Sequence, residues 1–248
     1  MVNEKLGPRD GRFRLAESSA LSATVRLLRL TGDTGAIRVP GQFVSVSVPG
    51  KFLRRPFSVC DWDEGWLTLL IERVGAGTEL LHALEPGTEL DVLTGLGYGF
   101  TLRPDRREPV LVGCGSGLSP LVGLARRLRA AGIEPKVLLG FREERARFGA
   151  ELFPGMDVRY AEDVFKALDE TAHDCFYACG SENVMTQLAR REKTAGQVAF
   201  DVRMGCGFGA CMGCAIRTRD GMKRVCTDGP VFEKWEMINE KCSMGNDQ

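Results

Sequence analysis

Apolar and polar positions along the chain change rhythm near residue 104. Before it, short apolar or alternating runs recur at 23–30, 42–48 and 66–71. Turn-forming stretches at 31–35, 49–50 and 61–65 separate them, which predicts a small antiparallel β-barrel over residues 13–100. Residues 75–84 are compatible with one short helix inside that region. A polar stretch, 103–109, then predicts a hinge. Beyond it the pattern becomes strand–helix alternation. Val110-Leu-Val112 has the composition of a buried strand, and apolar residues at 118, 121, 122, 124, 125 and 128 make a helical stripe opened by Ser119-Pro120. Strands at 136–140 and 174–178 and a helix at 182–191 complete a βα array, which implies a parallel sheet. The pattern therefore predicts three units: an N-terminal barrel over 1–103, an α/β domain over 104–200 and a small module over 201–248.

Composition narrows the function classes. Lys and Arg together number 33, as do Asp and Glu, so the formal net charge is zero. A balanced chain offers no field for nucleic acid or an anionic membrane, and Arg54-Arg55, Arg126-Arg127 and Arg190-Arg191 read as solvated faces. The first ten residues lack an apolar signal-peptide core and no run is long enough to span a membrane, so a reducing cytoplasm is the expected location. The two histidines, His82 and His173, stand beside no nucleophile and are expected at the surface or at helix ends. Hydrolysis through a histidine base is disfavoured, while chemistry carried by cofactors fits.

The strongest chemical signal lies in the last module. Cys206, Cys211, Cys214 and Cys226 fall as C-x4-C-x2-C-x11-C, the plant-type spacing for a [2Fe–2S] cluster. Four of the eleven residues in 204–214 are glycine, which lets the backbone wrap closely around a cluster and aim N–H groups at it. Structural zinc also takes four thiolates, but its sites usually carry two C-x2-C pairs and here only Cys211 and Cys214 form one. Nine cysteines in 248 residues are too few for a disulfide framework. Cys60, Cys114, Cys175 and Cys242 are expected to be structural.

Three further motifs are weaker alone. Gly113-Cys-Gly-Ser-Gly-Leu-Ser-Pro120 lies between a strand and a helix, where Gly113, Gly115 and Gly117 would let backbone N–H groups approach a pyrophosphate. Leu118 stands where the strict fingerprint has glycine, so a plain tight turn competes. Arg54-Arg-Pro-Phe-Ser58, expected at the end of a barrel strand, combines a phosphate-pairing arginine, a stacking ring and a hydroxyl. The competing reading is an edge strand protected by Pro56. Tyr177-Ala-Cys-Gly180 ends a strand where open α/β sheets bind ligands, with Ser181 placed to cap the next helix.

In this order the motifs resemble the ferredoxin reductase superfamily, and within it the electron-transfer subunits of type 1B, NAD-linked dihydroorotate dehydrogenases. The resemblance spans the chain. It implies FAD binding by Arg55, Pro56, Phe57 and Ser58, by Ile71, Glu72 and Arg73, and by Gly77 and Thr78. It implies NAD binding through Gly113, Gly115 and Gly117, with Cys179 and Gly180 near the nicotinamide. Leu96-Gly-Tyr-Gly-Phe100 and Leu139-Gly-Phe-Arg142 match the ends of further strands. Val225-Cys-Thr-Asp-Gly-Pro-Val-Phe232 matches the context of the fourth ligand, which makes Cys206, Cys211, Cys214 and Cys226 the ligands of a [2Fe–2S] cluster. Glu72 departs from a common tyrosine, and Ser181-Glu-Asn183 from a commoner Gly-Pro turn. The resemblance further implies a partner, an FMN-containing catalytic subunit that oxidises dihydroorotate to orotate, in a heterotetramer with two copies of each. Small subunits of ferredoxin:NADP transhydrogenases and sulfur-reducing hydrogenases share the architecture, and a zinc-stabilised nucleotide-binding module without redox activity is the alternative of another class.

Overall fold

In the computed structural model, which describes residues 7–237, six strands close into an antiparallel barrel. They are β1 (Arg9–Ala20), β2 (Val25–Thr31), β3 (Phe43–Val46), β4 (Arg55–Asp63), β5 (Trp66–Glu72) and β6 (Glu89–Leu96), arranged β1-β2-β5-β4-β3-β6. Helix α1 (Ala76–His82) lies between β5 and β6. Phe13, Leu15, Leu28, Val44, Val59, Leu67, Leu69, Ile71 and Val92 fill the barrel, and their period-two spacing makes one face of each strand the interior.

The barrel is not paired evenly. β4 meets β5 only from Val59 onward, while Arg55–Ser58 pair with β3 alone. The start of β4 and the end of β5 therefore diverge, opening one wall of the barrel. Pro56, which cannot donate to a ladder, sits opposite Ser45 in this half-paired stretch. The Arg54–Ser58 motif consequently begins a strand rather than ending one.

The second layer is a six-stranded sheet whose strands lie in the order β14 (Val231–Glu233), β11 (Ala195–Asp201), β10 (Cys175–Ser181), β7 (Pro109–Cys114), β8 (Lys136–Gly140) and β9 (Val158–Ala161). Its parallel members are β7, β8, β9, β10 and β11. Helix α2 (Ser119–Ala130) follows β7, α3 (Val164–Asp169) follows β9 and α4 (Glu182–Arg191) follows β10. Val110, Val112, Phe176 and Ala178 pack on one face, and Leu111, Tyr177 and Cys179 on the other. Burial of both faces explains the unbroken apolar runs of these strands. The order reverses between β7 and β10, which leaves a crevice at their carboxyl ends.

The cysteine segment contains a hairpin, β12 (Ala215–Thr218) and β13 (Gly221–Arg224), a one-turn helix α5 (Val225–Asp228) and β14 (Val231–Glu233). β14 joins the main sheet antiparallel to β11, and the Tyr98 N–H donates to Gly229 O at 2.6 Å. The module is thus built into both other layers.

The stretch expected to be a hinge is clamped. Arg103 N–H donates to the Tyr177 hydroxyl at 3.0 Å, and Arg107 and Glu108 N–H groups donate to Asp174 at 2.7 and 3.2 Å. Arg103 also pairs with Glu233 at 2.6 Å, and Glu233 accepts a bond from Gln197 at 2.7 Å. Glu233→Ala is expected to cost about 1–3 kcal/mol, because it leaves the buried Gln197 amide and the half-buried Arg103 guanidinium without their acceptor. Urea denaturation with an unchanged m-value checks this. α2 fastens the barrel from the other side: Arg126 pairs with Asp61 at 3.0 Å, and Arg127 stacks 3.5 Å above Trp62.

His82 ends α1 as expected. His173 does not lie at the surface: its side chain is 8% exposed and faces Glu192 at 3.4 Å. No helix among the described residues is long and apolar enough to cross a membrane.

Candidate functional site

The diverging barrel wall and the crevice of the sheet open into one cleft of about 590 Å³. Arg55, Pro56, Phe57 and Ser58 contribute from β4, and Leu70 and Glu72 from β5. Thr78 enters from α1, and Ser116, Gly117 and Cys179 from the sheet. The cleft continues along Asp201, Val202, Arg203 and Met204, the chain leading directly to Cys206.

Most of the expected flavin residues converge there. The Arg55 guanidinium donates to Leu53 O at 2.7 Å and lies against Gly77, where a Cβ would fall 2.8 Å from Arg55 Nε. Gly77 is therefore the floor under Arg55 rather than part of the cleft wall. Thr78 Oγ1 accepts the Val74 and Gly75 N–H groups at 2.9 and 3.1 Å, fixing the loop before α1. Ile71 is fully buried in the barrel interior, and Arg73 lines a separate surface hollow with Glu79 and His82.

The glycine loop forms as expected. Gly113 and Cys179 are direct partners across β7 and β10. Gly115 takes a positive φ of 58°, a conformation that favours glycine. Gly117 passes so close to β10 that a Cβ would meet Cys179 O at 2.4 Å. The loop is thereby pressed onto the strand end, where Gly180 also lies. Burial, then the charge of Asp201 and the neighbouring Cys114, raises the Cys179 thiol well above its ordinary range. Cys179 is accordingly a neutral wall of the cleft and not a nucleophile. Burial also raises Cys60 to about 12, Cys114 to about 11 and Cys175 to about 12, in keeping with packing roles. Cys242 lies outside the described residues.

Asp201 was not foreseen. It ends β11, and protein packed around it, followed by the charge of Glu72, raises its carboxyl above the usual range. The apolar run 198–200 before an acid was the available signal, since strand ends line the binding edge of such sheets.

The four cysteines lie as two pairs. The Cys206 N–H reaches the Cys211 sulfur at 3.4 Å, and the Cys226 N–H reaches the Cys214 sulfur at 3.5 Å. The Ala210 N–H likewise donates to the Cys206 sulfur at 3.2 Å. Burial works to raise Cys206, but the N–H groups of Phe208, Cys211 and Ala210 outweigh it and bring the thiol down to about 6. Burial and the hydrogen bond that the Cys226 thiol donates to Cys214 push Cys226 up to about 12. Met212, between Cys211 and Gly213, has a φ of 59°, an uncommon conformation for a non-glycine residue and one that suits a tight anion-binding turn. Two thiol pairs inside a nest of N–H donors fit a two-iron cluster, which takes two cysteines on each iron.

A barrel and a mostly parallel sheet sharing one cleft, continued by a four-cysteine module, make up the ferredoxin-reductase-like fold. A chain of the NADH-dependent reduced ferredoxin-NADP oxidoreductase has this fold, with a TM-score of 0.81, 23% identity and coverage of 90% of this chain and 88% of that one. Residues 201–238 match the iron–sulfur cluster binding domain of dihydroorotate dehydrogenase B. The dihydroorotate dehydrogenase B (NAD(+)) electron transfer subunit of Bacillus caldolyticus is 34% identical over 92% of this chain and 99% of its own length. That of Shouchella clausii is 33% identical over 93% and 98%. The chain belongs to this family of electron transfer subunits.

Proposed function

We propose that this chain relays electrons between NAD and an FMN-containing catalytic subunit that oxidises dihydroorotate to orotate in pyrimidine biosynthesis. As a member of its family it is an oxidoreductase subunit with FAD, a [2Fe–2S] cluster and NAD as cofactors. One observation carries the residue-level reading: a single cleft joins the β4 motif, the glycine loop and the chain entering the cysteine module. Nicotinamide supplies hydride chemistry, the cluster one-electron chemistry, and flavin both.

The chain's own residues supply binding and placement. Arg55 would hold a phosphate of FAD through charge-assisted bonds, with Ser58 and Thr78 offering hydroxyls and Phe57 an aromatic face. Gly113, Gly115 and Gly117 would bring backbone N–H groups and the start of α2 to the NAD diphosphate. Cys179 and Gly180 would shape the nicotinamide end. Cys206, Cys211, Cys214 and Cys226 would ligate the cluster, in a module of residues 201–248 following the barrel (1–103) and the α/β domain (104–200). No general base for dihydroorotate is assigned to this chain, so that group belongs to the partner.

Phe208 and Met212, both about half exposed beside the cluster ligands, offer the partner an apolar rim. Two copies of each subunit in the cytoplasm complete the proposal. Arg55→Ala is expected to weaken FAD binding by on the order of 10–100-fold, the loss of one charge-assisted contact. Fluorescence titration of the flavin-stripped protein measures it; wild-type affinity would remove Arg55 from the site. The function itself is tested by purifying the chain with the catalytic subunit and following NADH formation from dihydroorotate and NAD.

A further inference from the structure

We propose that the hydroxyl of Thr227 donates a hydrogen bond to a sulfur of the [2Fe–2S] cluster and sets its reduction potential. This rests on the cluster reading above. Thr227 follows Cys226 in α5. Its Oγ1 is shielded from solvent and has no hydrogen-bond partner among the described residues. Buried hydroxyls are nearly always partnered, so an orphan next in sequence to Cys226 points to an acceptor that the protein itself does not supply.

Packing fixes where Thr227 stands. A Cβ on Gly209 would fall 2.6 Å from Thr227 Cγ2, so the methyl is seated on the loop between Cys206 and Cys211. Thr227 thereby bridges the two thiol pairs: covalently next to Cys226, and in contact with the loop that carries the other two. With the methyl held, the stiff β-branched side chain has little freedom to turn its oxygen elsewhere. Arg224 supports the same loop, donating to Gly209 O at 2.7 Å. The surrounding N–H groups of Ala210, Cys206 and Cys226 all go to sulfur. An O–H donor without an acceptor completes that set.

Reduction adds one negative charge to the cluster, so a donor to sulfur favours the reduced state over the oxidised one. Removing the hydroxyl makes the cluster harder to reduce. The test is a potentiometric titration, followed by electron paramagnetic resonance, of the complete chain with its catalytic partner. Thr227→Val and Thr227→Ser are compared with wild type at matched iron and sulfide content. Thr227→Val is expected to lower the reduction equilibrium constant several-fold to tenfold, tenfold being 59 mV for a one-electron couple. Thr227→Ser is expected to stay with wild type, and the FAD potential to remain unchanged in both. If Thr227→Val cannot hold a cluster, Thr227→Ala against Thr227→Ser gives the same comparison. An unmoved potential in the hydroxyl-free variant, or an equal shift in Thr227→Ser, overturns the proposal while leaving the cluster reading intact. Wild-type protein without iron and sulfide would overturn both.

Discussion

Cys226→Ser is expected to abolish electron passage to the catalytic subunit while sparing the reaction of NADH at the flavin. Cys226 is 1% exposed, contacts Cys214 and anchors the turn that carries Thr227. Serine keeps the size of the side chain but replaces a soft thiolate with a hard oxygen, which iron–sulfur sites disfavour. A bound metal deprotonates a coordinating thiol, whereas the isolated Cys226 thiol is held at about 12 by burial and by its bond with Cys214. Dihydroorotate-driven reduction of NAD by the assembled complex should fall on the order of a hundredfold or more. Ferricyanide reduction by NADH, which needs only the cleft, should stay within about twofold of wild type. Equal loss of both activities would show that Cys226 supports the fold rather than the electron path.

Gly117→Ala is expected to damage the other end of the relay. The added Cβ would meet Cys179 O at 2.4 Å and the Cys179 carbonyl carbon at 2.7 Å. Both are backbone atoms of the central strand β10, so no flexible side chain can yield. Either the loop lifts from β10 or the strand end shifts, and overpacking of this kind costs about 1–3 kcal/mol. The displaced loop can no longer present its N–H groups to NAD, so kcat/KM for NADH with ferricyanide should fall by on the order of 10–100-fold. FAD content should remain near wild type, because Arg55 and Ser58 lie on the barrel side of the cleft. Unchanged NADH kinetics in a stably folded variant would remove the loop from the nucleotide site.

Period and punctuation revealed β2, β3, β5, β7, β8 and β10 with α1, α2 and α4, because each buries a regular face, while β1, β6, β9 and α3 were not read from the sequence. The cysteine spacing was equally legible, since ligand geometry constrains sequence separation. What escaped depends on long-range pairing. Pro56 suggested the edge of a strand, and the stretch is indeed half-paired, but that gap exists only because β5 leaves β4 beyond the Val59–Leu69 pair, opposite Arg55–Ser58. Such divergence is set by closure of the barrel, not by local residues. β14 has three residues and was invisible as a strand, being stabilised by β11 and by the bonds of Glu233. β11 leads into a glycine-rich loop instead of a helix, so the alternation that exposed the other strands stopped before it, and Asp201 was missed with it. The clamped linker at 103–109 reads as flexible by composition, yet Tyr177, Asp174 and Glu233 approach it from elements far along the chain.

The central claim is that one chain holds a flavin in the shared cleft and a two-iron cluster on four cysteines. Anaerobic visible absorption of the purified full-length chain, with flavin, iron and acid-labile sulfide measured on the same sample, tests it most directly. The account predicts one FAD, two irons and two sulfides per chain, with flavin bands and a broad cluster shoulder that both bleach with dithionite. A colourless protein carrying a single zinc would contradict it.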